Sequence, residues 1–481
     1  MIVTHWYHPL FYFPDMAQRD LRFRLLSFLL LFLFGGAIVG ETVSLSMAVT
    51  VSGSAVLGKL FFVNGALLFL LPPLFFSNID RINRGKLFST QLLAVSCILF
   101  CYLGLFLVVG RDNIAVLSFW ILLIYPLSYL SKTTLFLSFW TLANDIYTTD
   151  EAKKGFPKIA SWGFLGGLSG ACGARLLLEV VDAQMIIGLW AVAYLVAFLI
   201  SRRIMEAYWL KFAKKENIEP EQAGGKGIMA GMVLVLSSKL IRLIALLYFL
   251  VFVAIFLQDY LFWKKSASWF HSSNALASFQ FSFYLVYSLV IIGGLRFVMP
   301  GMISRWGFTR IFSLLPVTLL AGSFVTILMI AAGAGPKTSF AGFVAFQFLR
   351  YVVFENAFSP IYQMFFAVIP REKRGRAKTF LDGIVKPSAI MLTGLFLIIT
   401  ESRALVILFV ILGAAAAMVY VVVRIRTTYT EALIPRPTVR YEPDEIIAEI
   451  GGRHDQGILA LVKYYSPSDK SDVRCGPVRL L

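Results

Sequence analysis

The sequence is poor in the residues that carry covalent chemistry and cross-links: 481 residues contain 4 cysteines and 4 histidines. Cys97, Cys101, Cys172 and Cys475 have no zinc-site spacing and imply no disulfide framework. Cys97 and Cys101 fall on one face of an apolar helix and read as small packing residues. His5, His8, His271 and His454 are scattered, and no nucleophile has a base near it in sequence, so neither an enzyme nor a metal or cofactor site is expected. Gly224, Gly225 and Lys226 do not make a phosphate loop, since Gly227 replaces the required Ser or Thr and no strand precedes them. Charge is scarce as well, at 15% of residues, and acidic charge more so, with 27 Asp and Glu against 44 Lys and Arg. What fills the space is apolar: 58% hydrophobic residues, 15% aromatic and a mean hydropathy of +0.78, the composition of a polytopic membrane protein. The net charge of +17 sits in short loops between apolar runs, which excludes a nucleic-acid partner and reads as a topology signal.

The apolar runs predict an all-α membrane protein with about twelve spans in two six-helix halves. Spans are expected at 25–49, 57–77, 88–110, 114–145, 157–180 and 185–201, and again at 235–261, 275–298, 311–333, 339–369, 379–400 and 403–423. The run after Arg19, Arg22 and Arg24 is long enough to span and ends in no small-residue cleavage site, so the first helix is expected to stay in the mature protein. The polar stretch 202–230 reads as a linker between halves. Prolines 435, 437 and 443 stop the last helix before a tail. The expected organisation is an N-terminal half at 1–201, a linker at 202–230, a C-terminal half at 231–426 and a tail at 427–481.

Lys and Arg accumulate in alternate loops, which places both termini and the linker in the cytoplasm. The expected setting is the inner membrane of a bacterium, with the chain monomeric and the bilayer and a small-molecule anion as its partners.

Charges inside the spans are the next signal. Lys132 lies mid-span, where a lysine costs about 2.5–3.5 kcal/mol on insertion scales and so normally faces protein or a water-filled cavity. A similar design returns about 221–224 positions later, with Glu355 mid-span and Glu372, Lys373, Arg374 and Arg376 in the following turn, answering Asp150, Glu151, Lys153 and Lys154 in the first half. Arg81 and Lys86 likewise answer Arg305 and Arg310 at an offset of 224. Lys132 and Glu355, 223 positions apart, are therefore expected to be counterparts across a pseudo-twofold axis and to pair in the empty carrier. Glu41, Lys386 and Arg175 complete the candidate substrate-binding set, while Lys59, Arg296 and Arg350 read as snorkelling to headgroups. Asp80, Arg81, Glu151, Lys153, Glu372 and Arg374 form a candidate cytoplasmic gate, with topology signalling or binding of anionic lipid as the plainer reading. Gly163, Gly166, Gly167, Gly170 and Gly173 stripe the fifth span and read as a close helix contact.

Two groups of residues carry a family resemblance. Asp80, Arg81, Arg84, Gly85 and Lys86 resemble the loop signature of major facilitators. Asp150 to Lys154 with Phe139 and Trp140, the segment Ile241 to Trp263, and Pro370 to Lys378 with Leu381, Asp382 and Gly383 resemble the ATP/ADP translocase family of nucleotide exchangers and its bacterial relatives. The resemblance covers about residues 20–425. It implies a major facilitator fold and exchange of a nucleotide or another organic phosphate. From the residues themselves, an excess of bases among Lys59, Lys132, Arg175, Arg350 and Lys386 over Glu41, Glu355 and Asp259 suits an organic anion. A non-transporting scaffold or receptor, or a major facilitator for an unrelated solute, stands as the alternative.

Overall fold

The computed structural model describes residues 15–77, 84–109, 114–147, 149–207, 232–233, 235–306, 308–365, 377–378, 380–400 and 403–433. Within them the chain is helical. The first six long helices are α1 (Asp15–Ser52), α2 (Val56–Ser77), α3 (Arg84–Val109), α4 (Ile114–Ile146), α5 (Thr149–Leu177) and α6 (Ala183–Ala207). The second six are α7 (Lys239–Trp269), α8 (Ser273–Gly293), α9 (Leu314–Ala331), α10 (Pro336–Val353, continued to Phe365), α11 (Lys386–Ile399) and α12 (Ala404–Leu433). Among the described residues nine helices are long and apolar enough to cross a membrane, and α2, α5 and α10 complete the expected twelve. This is a multi-pass integral membrane protein. Residues Met1–Tyr429 form one compact unit; of the second, Thr430–Leu481, only the end of α12 is described. The linker beyond Ala207 and the tail beyond Leu433 lie outside the described residues.

Local chemistry places the helix ends. Ser238 and Ser272 cap α7 and α8, their hydroxyls accepting from the amides of Ile241 at 3.5 Å and Ala275 at 3.2 Å. Pro336 opens α10 at a position where its missing N–H costs nothing. Asp150 and Glu151, expected in a turn, instead occupy the first turn of α5, where acids complement the helix dipole. Lys264 and Lys265, expected in a loop, extend the last turns of α7. Pro126 sits inside α4, and just beyond it Ser128, Ser131 and Thr133 return their hydroxyls to backbone carbonyls of the same helix. Three segments are wound as π turns: Gly294–Val298 after α8, Phe354–Phe358 within α10 and Leu381–Val385 leading into α11.

Without a hydrophobic force between helices in lipid, close packing depends on small residues. α1 packs most extensively against α5 and α6, and the α1–α5 contact is backbone on backbone. A Cβ on Gly166 would lie 2.0 Å from the Leu31 carbonyl oxygen, and one on Gly170 would lie 2.9 Å from the Cα of Gly35. The expected glycine stripe is thus a packing surface at those positions, whereas Gly173 faces open space. Between the halves, α2 packs on α11 and α5 on α8. The α2–α11 seam is as tight: a Cβ on Gly65 would meet the Met391 amide nitrogen at 2.4 Å, and one on Gly394 would meet the Phe62 nitrogen at 2.3 Å. Three hydrogen bonds that cross between the halves lie together where α1 gives way to α2, α5 to α6 and α7 to α8. Thr50 and Ser273 share a hydroxyl contact at 2.5 Å, and Asn274 accepts from the Ala183 amide at 2.7 Å and donates to Asp182 at 3.5 Å. The halves are therefore latched together at one end.

Candidate functional site

α1, α4, α7, α8 and α10 enclose a cavity of about 450 Å³, within the usual range of a small-molecule pocket. Each half contributes one ion pair to its wall. In the first, the Lys132 ammonium on α4 lies 2.6 Å from Glu41 on α1, with side chains 34% and 27% exposed. In the second, Arg350 on α10 pairs with Asp259 on α7, with side chains 3% and 18% exposed. Gln347 donates a further bond to Asp259 at 2.6 Å, and the Arg350 guanidinium lies 3.9 Å from the centre of the Tyr351 ring. The partners are 91 residues apart in both pairs. The acids Glu41 and Asp259 stand 218 positions apart, as do the bases Lys132 and Arg350. One internal correspondence maps both members of one pair onto both members of the other.

That register corrects the expected one. At 218 the counterpart of Lys132 is Arg350, not Glu355, and the ionic partner of Lys132 is Glu41 within its own half. The offset of 224 belongs to the loops after the second and eighth spans, and it persists only locally: α3 begins at Arg84, and its counterpart segment opens with a short helix at Phe308–Phe312 ahead of α9. Loop length is free to drift between repeats, whereas packed helices that share a cavity are not. By sequence context alone Asp259 is a span-end acid and Arg350 a snorkelling base. The shared spacing of 91 between acid and base is the signal that finds them.

Glu355 lines the same cavity from the π turn of α10, and among the described residues no donor reaches its carboxylate within hydrogen-bonding distance. Lys386 does not line the cavity. Its ammonium stands 4.9 Å from the ring of Phe252, which does, and Asp382 on the neighbouring π turn accepts a hydrogen bond of 2.6 Å from Tyr248. Arg175 lies at the end of α5 against Glu179 at 3.1 Å and is not part of the cavity wall. Lys59 is exposed at the start of α2. The excess of bases counted from sequence is thus absent from the site. Among the described charges in and directly behind the wall, Glu41, Asp259, Glu355 and Asp382 outnumber Lys132, Arg350 and Lys386 by one.

Of the candidate gate, Asp80, Arg81, Glu372 and Arg374 lie outside the described residues, as does the side chain of Lys153. Glu151 is described, and it pairs with Arg22 of α1 at 2.9 Å. Arg22 also donates to the Ile146 carbonyl at 3.4 Å and lies 5.1 Å from the Tyr147 ring. Burial holds the Tyr147 phenol above its ordinary pKa, with the Arg22 guanidinium pulling the other way and Glu151 adding to the rise, so the ring is neutral near pH 7. This cluster ties α1, α4 and α5 of one half together. Among the described residues no group of three His, Cys, Asp or Glu could hold a metal ion.

The architecture is a bundle of twelve long helices in two halves, with a cavity walled by the first and fourth helices of each half and by α8. Solved structures narrow the fold. The chain superimposes on a bacterial homologue of the iron transporter ferroportin in an inward-facing state, with TM-score 0.61 and 16% identity over 84% of this chain and 98% of that one. It matches the nucleoside transporter NupG with TM-score 0.56 and 16% identity over 85% and 98%. The xylose transporter XylE from E. coli matches with TM-score 0.55 and 9% identity over 87% and 99%. The fold is that of the major facilitator superfamily. By sequence, no family model and no curated protein matches. Those three structures are of a homologue of an iron transporter, a nucleoside transporter and a xylose transporter, so the shared fold does not select a solute.

Proposed function

We propose that this protein is a secondary active transporter that moves one small organic solute across its membrane by alternating access, with the solute held in the cavity between the halves. The observation that carries this reading is the mirrored pair of ion pairs, Glu41 with Lys132 and Asp259 with Arg350, facing one cavity from equivalent helices. Charges inside a membrane are expensive, and two matched sets at one depth cost far more than helix packing requires. The latch at one end supports the same reading, because hydrogen bonds between Thr50 and Ser273 and around Asn274 hold one entrance shut without a salt bridge between the halves there. By loop charge this end faces outward, which makes the conformation inward-facing, with both termini cytoplasmic.

An organic anion, with a nucleotide or other phosphorylated metabolite as its particular case, is the solute that the resemblance implies. Lys132 and Arg350 are suitable partners for phosphate or carboxylate. To reach either, an anion must displace a carboxylate already in contact. The test is uptake by proteoliposomes containing the purified full chain, preloaded in turn with nucleotides, sugar phosphates, carboxylates and amines. Saturable exchange of one class supports the transporter reading. A protein that moves none of them, and whose halves stay latched in every condition, is a scaffold or receptor instead.

A further inference from the structure

The cavity holds a carboxylate that its own cations leave unused. Lys132 and Arg350 each contact a different acid, and Glu355 contacts neither. The residue lines the same cavity as Lys132 and Arg350, so it belongs to the same charged wall. A stray acid so deep in a membrane protein is expensive unless something binds it. The backbone beneath it is unusual in the same place: Glu355 is carried by the π turn Phe354–Phe358, a distortion that re-aims side chains and recurs at functional sites.

The surroundings of Glu355 specify what would bind. Tyr284 and Tyr287 of α8 line the same cavity. Their rings meet edge to face at 5.1 Å, and Tyr287 stacks on Tyr351 with centroids 4.7 Å apart and planes 2° from parallel. Stacking fixes the rings, so the wall needs little ordering when a ligand arrives. An acid that shares a cavity wall with tyrosine rings is an arrangement that recognises an organic ammonium group, through a charge-assisted hydrogen bond to the acid and the quadrupole of a ring. The surplus of one acid over the bases of the site points the same way.

We infer that Glu355, with Tyr284 and Tyr287, forms a subsite for the cationic group of an amine-bearing solute, and that the Glu41–Lys132 and Asp259–Arg350 pairs remain closed when that solute binds; Tyr351, covered by the Arg350 guanidinium on one face and by Tyr287 on the other, holds Tyr287 in place. The inference rests on the transporter reading only for its purpose, and binding can be measured without transport.

Three indole compounds of one ring system test it: tryptamine (a cation at neutral pH), tryptophan (a zwitterion) and indole-3-acetate (an anion). Titration calorimetry on the purified full chain in detergent should find tryptamine bound at least tenfold more tightly than indole-3-acetate, with tryptophan between. Glu355→Gln should erase the preference, and Glu355→Asp should keep its sign. The wild-type ranking stands as evidence even if Glu355→Gln fails to fold. The inference is overturned if wild-type protein binds indole-3-acetate as well as tryptamine, or binds neither, or if Glu355→Gln discriminates as the wild type does. It is equally overturned if Glu355→Gln abolishes proton-driven accumulation of a solute while leaving tryptamine binding intact, since the carboxylate would then serve a proton. Tryptamine held through Glu355 but never carried across proteoliposomes would sink the transporter reading and leave the subsite standing. Carriage of other solutes by a protein indifferent to tryptamine would do the reverse.

Discussion

Adding one methyl group at Gly65 should unlatch the halves. In the structure a Cβ there would sit 2.4 Å from the Met391 nitrogen and 2.7 Å from its Cα, against an ordinary contact of 3.4–4 Å, and the obstructing atoms are backbone. Neither helix can turn a side chain out of the way, so α2 and α11 must part by roughly 1 Å. Overpacking of this kind costs about 1–3 kcal/mol. The seam joins the two halves, so this cost falls on the latched state, and relief by the opposite conformation would shift the equilibrium by about 5- to 150-fold. The shift is readable as a distance. With the four native cysteines replaced by serine, spin labels at Val51→Cys and His271→Cys report the separation of the α1 and α7 ends. Gly65→Ala should deplete the short distance and lower the Tm in detergent. Gly104→Ala, which adds a methyl where nothing lies within 4 Å, should leave both unchanged. If Gly65→Ala gives the same distances and the same Tm as Gly104→Ala, the seam is not the latch and the reasoning fails.

Three further outcomes are expected. In a double-mutant cycle read by thermal unfolding, Lys132→Ala and Glu41→Ala should show a coupling of about 0.5–3 kcal/mol, whereas Lys132→Ala and Glu355→Ala should be close to additive. Arg350→Met alone should destabilise by about 3–5 kcal/mol, because Asp259 would be left charged and unpaired, and adding Asp259→Leu should recover part of that loss; equal Tm values for the single and double variants would contradict it. Cysteines placed at Lys214 and Asp455 should react with an impermeant maleimide only from the cytoplasmic side, and labelling from outside intact cells would reverse the assigned orientation.

Much of the fold was legible because a bilayer imposes a length rule that soluble proteins lack. The expected boundaries of α2 and α4 fall within a residue of those observed, since the apolar runs end where the spans end. The ends of α1, α5 and α7 were less legible. Arg22, Asp150 and Lys264 mark the water boundary, but a helix that caps itself with its own charges continues past that boundary. Within the site, Lys132, Glu41 and Glu355 stood out because a charge inside an apolar run is visible on its own. Their pairing was not visible, because it depends on which faces of α1 and α4 meet. Arg350 shows the limit most clearly: its own sequence context is that of a snorkelling residue, and the spacing of 91 that it shares with the first pair gains its meaning from the α7–α10 contact.

The seam between α1 and α5 has a mechanical consequence. Where Gly166 meets the Leu31 carbonyl and Gly170 meets Gly35, no side chain lies between the two backbones to be compressed or re-oriented. The joint has no slack, so the two helices behave as one beam. That beam carries Glu41 on one helix, and on the other Gly167, where a Cβ would fall 2.4 Å from the Tyr284 hydroxyl of the opposite half. A displacement of α8 that pushes Tyr284 against α5 therefore has the close joint at Gly35, Gly166 and Gly170 as its route to α1, the helix that carries Glu41.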